Sequence, residues 1–120
     1  VLAELESLGL DERTLVVFTS DNGSLGGDGG GSNAPLRGHK GTTWEGGMRV
    51  PAIVRWPGTI EAGTRTDALA SSIDLFPTLA GLAGAELPTD RTLDGVDLAP
   101  LLADPTSPSP RADFAFYAMD

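Results

Sequence analysis

The 120-residue chain contains no cysteine, one histidine and one lysine. Without a thiol, disulfides, thiolate nucleophiles and zinc–sulfur centres are excluded within these residues. Apolar runs are short, and none approaches the ~20 residues a membrane-spanning helix needs; no stretch reads as a signal peptide. Cations are scarce as well: eight Lys and Arg face 17 Asp and Glu, giving a net charge of −9. A general nucleic-acid or anionic-membrane surface needs clustered cations, so those partner classes are set aside.

The distribution of charge is more informative than its sum. Residues 1–28 carry one Arg against six acids, and residues 61–120 carry three Arg against ten acids. Residues 29–60 reverse the sign, with Arg37, Lys40, Arg49 and Arg55 against Glu45 alone. The chain's one Lys and its one His therefore both lie in a basic island. A length of 120 residues allows a single core burying about two-thirds of the unfolded surface. Yet "VLAELESLGL" opens on Val1 as a helix already under way, and "FAFYAMD" stops just after an apolar run, so we expect a segment of a longer protein.

In the first stretch Leu2, Leu5 and Leu8 share one helix face, and Gly9 stands where a left-handed cap would end it. "TLVVF" is β-branched and aromatic without alternation, which predicts a strand covered on both faces, as in a parallel sheet. "VPAIVRWPG" is a second strand candidate, entered through Pro51 and closed by a Pro57-Gly58 turn. "SSIDLFPTLAGLAG" predicts a helix capped by Asp74, with Pro77 in its first turn and Gly84 at its end. Leu75, Phe76, Leu79, Leu82 and Ala83 are its expected buried face. "LDGVDLAPLL" predicts a turn and one short helix, "ADPTSPSPRAD" a surface loop, and "FAFY" a final strand. The order of helix, strand, long loop, strand and helix is that of an α/β fold whose sheet is incomplete.

Two stretches have the composition of a binding site. "FTSDNG" delivers Asp21 and Asn22 to the carboxyl end of the first strand, where ligands gather in α/β sheets. A carboxylate and an amide carbonyl are hard oxygen donors suited to Ca²⁺ or Mg²⁺, although Asn-Gly is equally a turn dipeptide and two oxygens fill less than half a calcium shell. Asn22-Gly23-Ser24 also spells a glycosylation sequon. The second stretch, "LRGHKGTTWEGGMRVP", sets Lys40 between Gly38 and Gly41 with Thr42 and Thr43 following. Open backbone N–H groups beside a compact ammonium suit an anion. His39 is a candidate substrate contact, proton donor or metal ligand, or a solvated side chain. Arg37 and Arg49 are candidates either for the anion or for pairing with Glu45. The glycine-rich loop is not a Walker A motif, since no Gly-Lys-Ser/Thr follows it.

Together these blocks resemble the sulfatases, in particular the later part of the catalytic domain in the arylsulfatase-like branch. "FTSDNG", "LRGHKGTTWEGGMRVPAIVRWPG" and "SSIDLFPTLAGLAGAELPTDRTLDGVDLAPLL" are similar to three successive sulfatase blocks, in family order, over most of the chain. The resemblance implies an α/β fold: a fragment of an alkaline-phosphatase-like mixed or parallel sheet flanked by helices, with residues 1–120 forming a partial catalytic domain that lacks its N-terminal part. It implies that Asp21 and Asn22 ligate a divalent cation, usually Ca²⁺, and that Lys40 contacts the sulfate. His39, at a position where the family commonly has a small or variable residue, inherits no role; with Arg37 it stays a candidate substrate contact. A sulfated small molecule or glycan is the implied partner, and a periplasmic or secreted location is favoured.

In the family the nucleophile is a formylglycine made in a Cys/Ser-x-Pro-x-Arg motif. This chain has no such motif: "SPSPR" has Ser109 where Pro is required and reads as a loop. The expectation is therefore a sulfuric ester hydrolase whose nucleophile lies outside these residues, the isolated chain being inactive. Two alternatives stand beside it. One is a phosphoester or phosphonate hydrolase of the same superfamily. The other is a non-catalytic segment that binds calcium or a sulfated glycan.

Overall fold

In the computed structural model of the chain, residues 1–27 and 30–115 are described. They form two compact units, one from residues 1–14 with 56–114, the other from residues 15–55 with Ala115. Among the described residues no helix is long and apolar enough to cross a membrane.

The first unit begins with α1 (Leu2–Ser7). Beyond its last turn Gly9 takes φ +64°, so that Gly9 N–H donates to Glu6 O and Leu10 N–H to Leu5 O. That pair of bonds caps carbonyls the helix would leave open. A single 3₁₀ turn at Asp11–Arg13 follows, and the Trp56 indole N–H donates to Glu12 O at 2.9 Å.

The principal helix of this unit, α3 (Leu75–Leu82), is entered through a 3₁₀ turn at Ser72–Asp74 and leaves through Gly84, also at positive φ. Ser71 and Asp74 form a capping box in which Ser71 N–H donates to Asp74 Oδ2 at 2.8 Å. Asp74 thus takes part in capping, but from the third position of a box whose N-cap is Ser71; at the start of α3 itself it makes no side-chain cap bond. The expected buried face is not formed: Phe76, Leu79 and Leu82 are 56%, 41% and 40% exposed, Ala83 is exposed, and Leu75 is half-buried. The helix instead buries Pro77 and Thr78.

The reason is that the chain packs on the polar side of α3. Thr78 Oγ1 donates to Asp74 O at 2.6 Å and accepts from Leu98 N at 2.8 Å, while Asp74 Oδ1 accepts from Val96 N at 2.9 Å. These bonds clamp residues 96–98 along the start of α3, where Leu98 and Leu101 are the buried apolar residues. Leu101 belongs to α4 (Ala99–Ala103), the short helix expected in "LDGVDLAPLL". A polar interior of this kind holds only when each member is satisfied. Asp74, wholly buried, meets that condition through Arg111, whose Nε lies 2.9 Å from Oδ2 and whose Nη2 makes a short bond to Oδ1.

The second unit holds β1 (Val16–Thr19), α2 (Glu45–Met48) and β2 (Ala52–Arg55). The strands pair antiparallel with Val16 opposite Arg55, Val17 opposite Val54, Phe18 opposite Ile53 and Thr19 opposite Ala52. Both strands lie where the sequence places them, but β1 is not covered on both faces. Phe18 and its cross-strand partner Ile53 share one face of the ribbon and are 68% and 61% exposed. The pairing made within the chain leaves that face bare. Of the final strand expected at "FAFY", Phe114 and Ala115 have no regular structure, and Phe116 and Tyr117 lie outside the described residues.

Candidate active site

Asp21 and Asn22 follow β1 directly, so the strand's direction fixes where they emerge. Asn22 Nδ2 donates to Asp21 Oδ2 in a short bond, and Ser20 Oγ donates to Asn22 O at 2.8 Å. The pair is thereby tied into one turn, with the carboxylate exposed and the amide half-buried.

The chain then runs into a node at Ser24. Ser24 N–H donates to Asn33 Oδ1 at 2.8 Å, and Ser24 O accepts from Asn33 Nδ2 at 2.8 Å and from Lys40 N–H at 3.0 Å. Asn33 Nδ2 also reaches Gly38 O at 3.2 Å. A single side chain thus joins the strand-end loop to the lysine loop. The backbone of Lys40 is held against a residue two positions beyond Asn22. The sequence reading gave Asn33 no role. Its sole signal is a carboxamide inside a glycine-rich loop, where a group with two donors and an acceptor can replace missing ladder bonds.

The lysine turn is held as tightly on its other side. Thr42 Oγ1 donates to His39 O at 2.7 Å and accepts from His39 N–H at 3.2 Å, and Thr42 N–H donates to His39 O at 3.0 Å. His39 Nδ1 meets Lys40 O at 2.9 Å. The Arg37 guanidinium lies over the Trp44 ring, 3.5 Å from its centroid, a cation–π stack. Arg49 takes Glu45 as its partner at 3.2 Å, both side chains being more than 60% exposed. Of the two pairings open to Glu45, the structure therefore forms the one with Arg49.

Helix α2, which the sequence did not announce, brings these loops together. Two successive glycines are poor helix formers, at about 1 kcal/mol each relative to Ala. They are needed for close approach. Gly23 N–H donates to Gly47 O at 3.0 Å and Gly46 N–H to Arg37 O at 2.7 Å. A Cβ on Gly46 would lie 2.7 Å from Arg37 O and closer still to Gly38 O, and one on Gly23 would overlap Gly46 O. Gly46→Ala in the full-length protein is accordingly expected to lower stability by about 1–3 kcal/mol. Ala's propensity gain works the other way but is smaller, because rigid backbone oxygens cannot swing aside. A denaturant midpoint at or above wild type would show that the loops do not press on α2.

As a cation site the donor set is partial. Asp21 and Asn22 supply hard oxygens, and among the described residues no group of three or more His, Cys, Asp or Glu side chains comes together to complete a shell. Two donors fit Ca²⁺ or Mg²⁺ in type and fall short in number. Any remaining ligands must come from elsewhere.

Comparison with known proteins agrees with this arrangement of blocks. The family model described as Sulfatase matches residues 1–85. Rat steryl-sulfatase is 57% identical over 109 residues, spanning 85% of this chain and 19% of that protein. Among solved structures, PsFucS1 sulfatase from Pseudoalteromonas sp. is 40% identical with a TM-score of 0.84, covering 92% of this chain and 23% of that one. Ps i-CgsB, solved in complex with k-i-k-neocarrahexaose, is 42% identical with a TM-score of 0.78 over 83% of this chain and 22% of that one. The chain spans about a fifth of the length of these relatives. Its fold is accordingly a part of the alkaline-phosphatase-like α/β architecture. On the family match and these identities, the chain belongs to the sulfatase family.

Proposed function

We propose that the full-length protein containing this chain hydrolyses sulfate esters, and that Asp21, Asn22 and Lys40 belong to one site. The observation that carries the reading is the bond from Lys40 N–H to Ser24 O, which seats the chain's one lysine beside the loop leaving Asp21 and Asn22. In this reading Asp21 Oδ and Asn22 Oδ1 contribute two oxygens to a Ca²⁺ or Mg²⁺ ion. Such a cation supplies Lewis-acid polarisation of the sulfate oxygens. The Lys40 ammonium balances the charge that remains on the sulfate group. Stacking on Trp44 fixes the plane of Arg37 and leaves its N–H edges for the same anion.

Sulfate-ester cleavage builds negative charge on the bridging oxygen, so groups set in place beforehand do most for the rate. The fixed turn from His39 to Thr42 is preorganisation of that kind for Lys40. The formylglycine nucleophile belongs to the portion of the protein outside this chain, as do the other cation ligands. A sulfated small molecule or glycan is the substrate class, and a periplasmic or secreted location forms part of the same proposal.

Residues 1–120 alone are expected to give no turnover of an aryl sulfate, whereas the full-length protein turns it over and loses activity to a chelator. The matched aryl phosphate is expected to be the poorer substrate. A full-length protein that cleaves the phosphate and spares the sulfate would move the assignment to phosphoester hydrolysis. One that cleaves neither, while still taking up Ca²⁺, would make it a binding protein.

A further inference from the structure

Asn22 and Gly23 make a reactive pair as well as a turn. The backbone nitrogen that follows the asparagine has no Cβ beside it, so nothing on residue 23 hinders its approach to the Asn22 side-chain carbon Cγ. The chemistry needs only water. Hydroxide takes the Gly23 N–H proton, the Gly23 nitrogen bonds to Asn22 Cγ, and the Cγ–Nδ2 bond breaks as Nδ2 takes a proton from water and leaves as ammonia. Water then opens the succinimide at one carbonyl or the other, giving Asp or iso-aspartate; nothing is oxidised or reduced.

The fold leaves little freedom to avoid this pair. A Cβ on Gly23 would overlap Gly46 O, so α2 keeps glycine at that position. The chain's other asparagine, Asn33, precedes Ala34, and its amide is committed to Ser24 and Gly38.

Both reacting groups are held in place. Gly23 is buried, and its N–H donates to Gly47 O at 3.0 Å, which covers the proton that hydroxide must remove and fixes the nitrogen on α2. Asn22 Nδ2 is tied to Asp21 Oδ2. The asparagine is only half-buried, so water reaches the pair once the Gly23 bond opens. Breaking one backbone bond is a local event and does not require the chain to unfold.

We propose that Asn22 is a deamidation site and that α2, through Gly47 O, restrains it. This holds whatever the pair binds. The product puts a second carboxylate beside Asp21, or a backbone longer by one methylene, in place of the amide proposed above as a cation ligand.

The test follows Asn22 in the full-length protein by peptide mass spectrometry, reading the amide-to-carboxylate mass gain during incubation at mildly alkaline pH. In urea Asn22 should convert faster than Asn33, and the native fold should slow Asn22 about tenfold, the scale of one backbone hydrogen bond. Gly46→Ala, whose Cβ presses on Arg37 O and Gly38 O and so shifts α2, should recover most of that factor. Asp74→Asn, which destabilises the other unit, should leave the native rate near wild type. An unchanged rate in Gly46→Ala overturns the proposal, as do equal acceleration by the two variants, a native rate equal to that in urea, or faster conversion of Asn33 in urea. If Gly46→Ala yields no folded protein, hydrogen exchange of the wild type decides. A Gly23 N–H as labile in the native protein as in urea removes the restraint, and one protected by the same factor as Asn22 supports it.

Discussion

Asp21→Ala in the full-length protein is expected to abolish turnover of sulfate esters at any practical concentration of Ca²⁺ or Mg²⁺, and Lys40→Ala to lower kcat/KM by roughly 10²–10³-fold. The two losses should differ in kind. In the proposed site Asp21 would be one of two chain-borne donors, so removing it would halve that set and delete its whole negative charge. The measurable consequence is a weakened cation affinity, read by calorimetry as well as by activity. Lys40 is proposed to act on the anion instead. Its substitution should leave cation affinity close to wild type and weaken competitive inhibition by inorganic sulfate.

Lys40→Arg is expected to recover little, because a planar fork on a three-carbon stem cannot stand in for a compact ammonium on a four-carbon stem whose backbone is set between Gly38 and Gly41 at φ +89° and +88°. If Asp21→Ala turned over substrate normally, the metal assignment would fail. If Lys40→Ala bound inorganic sulfate as wild type does, the lysine would be a surface residue and the shared site would dissolve.

Much of this was legible in the sequence, and the boundary between the legible and the hidden follows physical lines. Local chemistry reads well. Gly9 and Gly84 end their helices, Asp74 joins Ser71 in a capping box, and "AIVR" is a strand, because each depends on residues a few positions away. Charge singles out Lys40, a solitary lysine in a basic island, without any fold, and its role is the proposal made above. Non-local backbone contact is not legible. The glycines at 46 and 47 make room for the backbone of Arg37, Gly38, His39 and Thr42, and Gly47 O takes the N–H of distant Gly23; nothing in their spacing says so. Asn33 escapes for the same reason: its three partners belong to Ser24 and Gly38, and only the folded chain brings them together.

The burial pattern misled for a further reason. Apolar periodicity on α3 locates a face that prefers not to meet water, but it does not identify what covers it. Inside this chain the contact went to Asp74 and Thr78, which a hydropathy pattern scores as surface. The bare faces of Phe76, Leu79, Phe18 and Ile53 go with a chain that spans about a fifth of its relatives.

The largest stability effect is expected at Asp74. Burial by itself would raise its carboxyl pKa; the hydrogen bonds from Arg111, from Val96 N–H and from Ser71 N–H, together with the Arg111 charge, outweigh burial and hold it below the usual 3.8. A carboxyl depressed in the folded state contributes stability above its unfolded pKa. That contribution is lost as pH falls from about 3.8 through the folded value. The urea midpoint of the full-length protein should therefore decline in this acid window more steeply in wild type than in Asp74→Asn.

Asp90 and Asp104 are depressed as well, by Arg91 and by Thr106 respectively, and both lie at the surface. Their contribution is common to wild type and variant and drops out of the comparison. At neutral pH, Asp74→Ala should cost about 3 kcal/mol, the low end for a broken buried pair because the Arg111 side chain keeps 9% of its surface in water. Asn keeps the shape but points an N–H group at donors that needed an acceptor, and it should cost nearly as much. Equal acid profiles for wild type and Asp74→Asn would mean that Arg111 and the 96–98 segment are held to α3 by something other than this carboxylate.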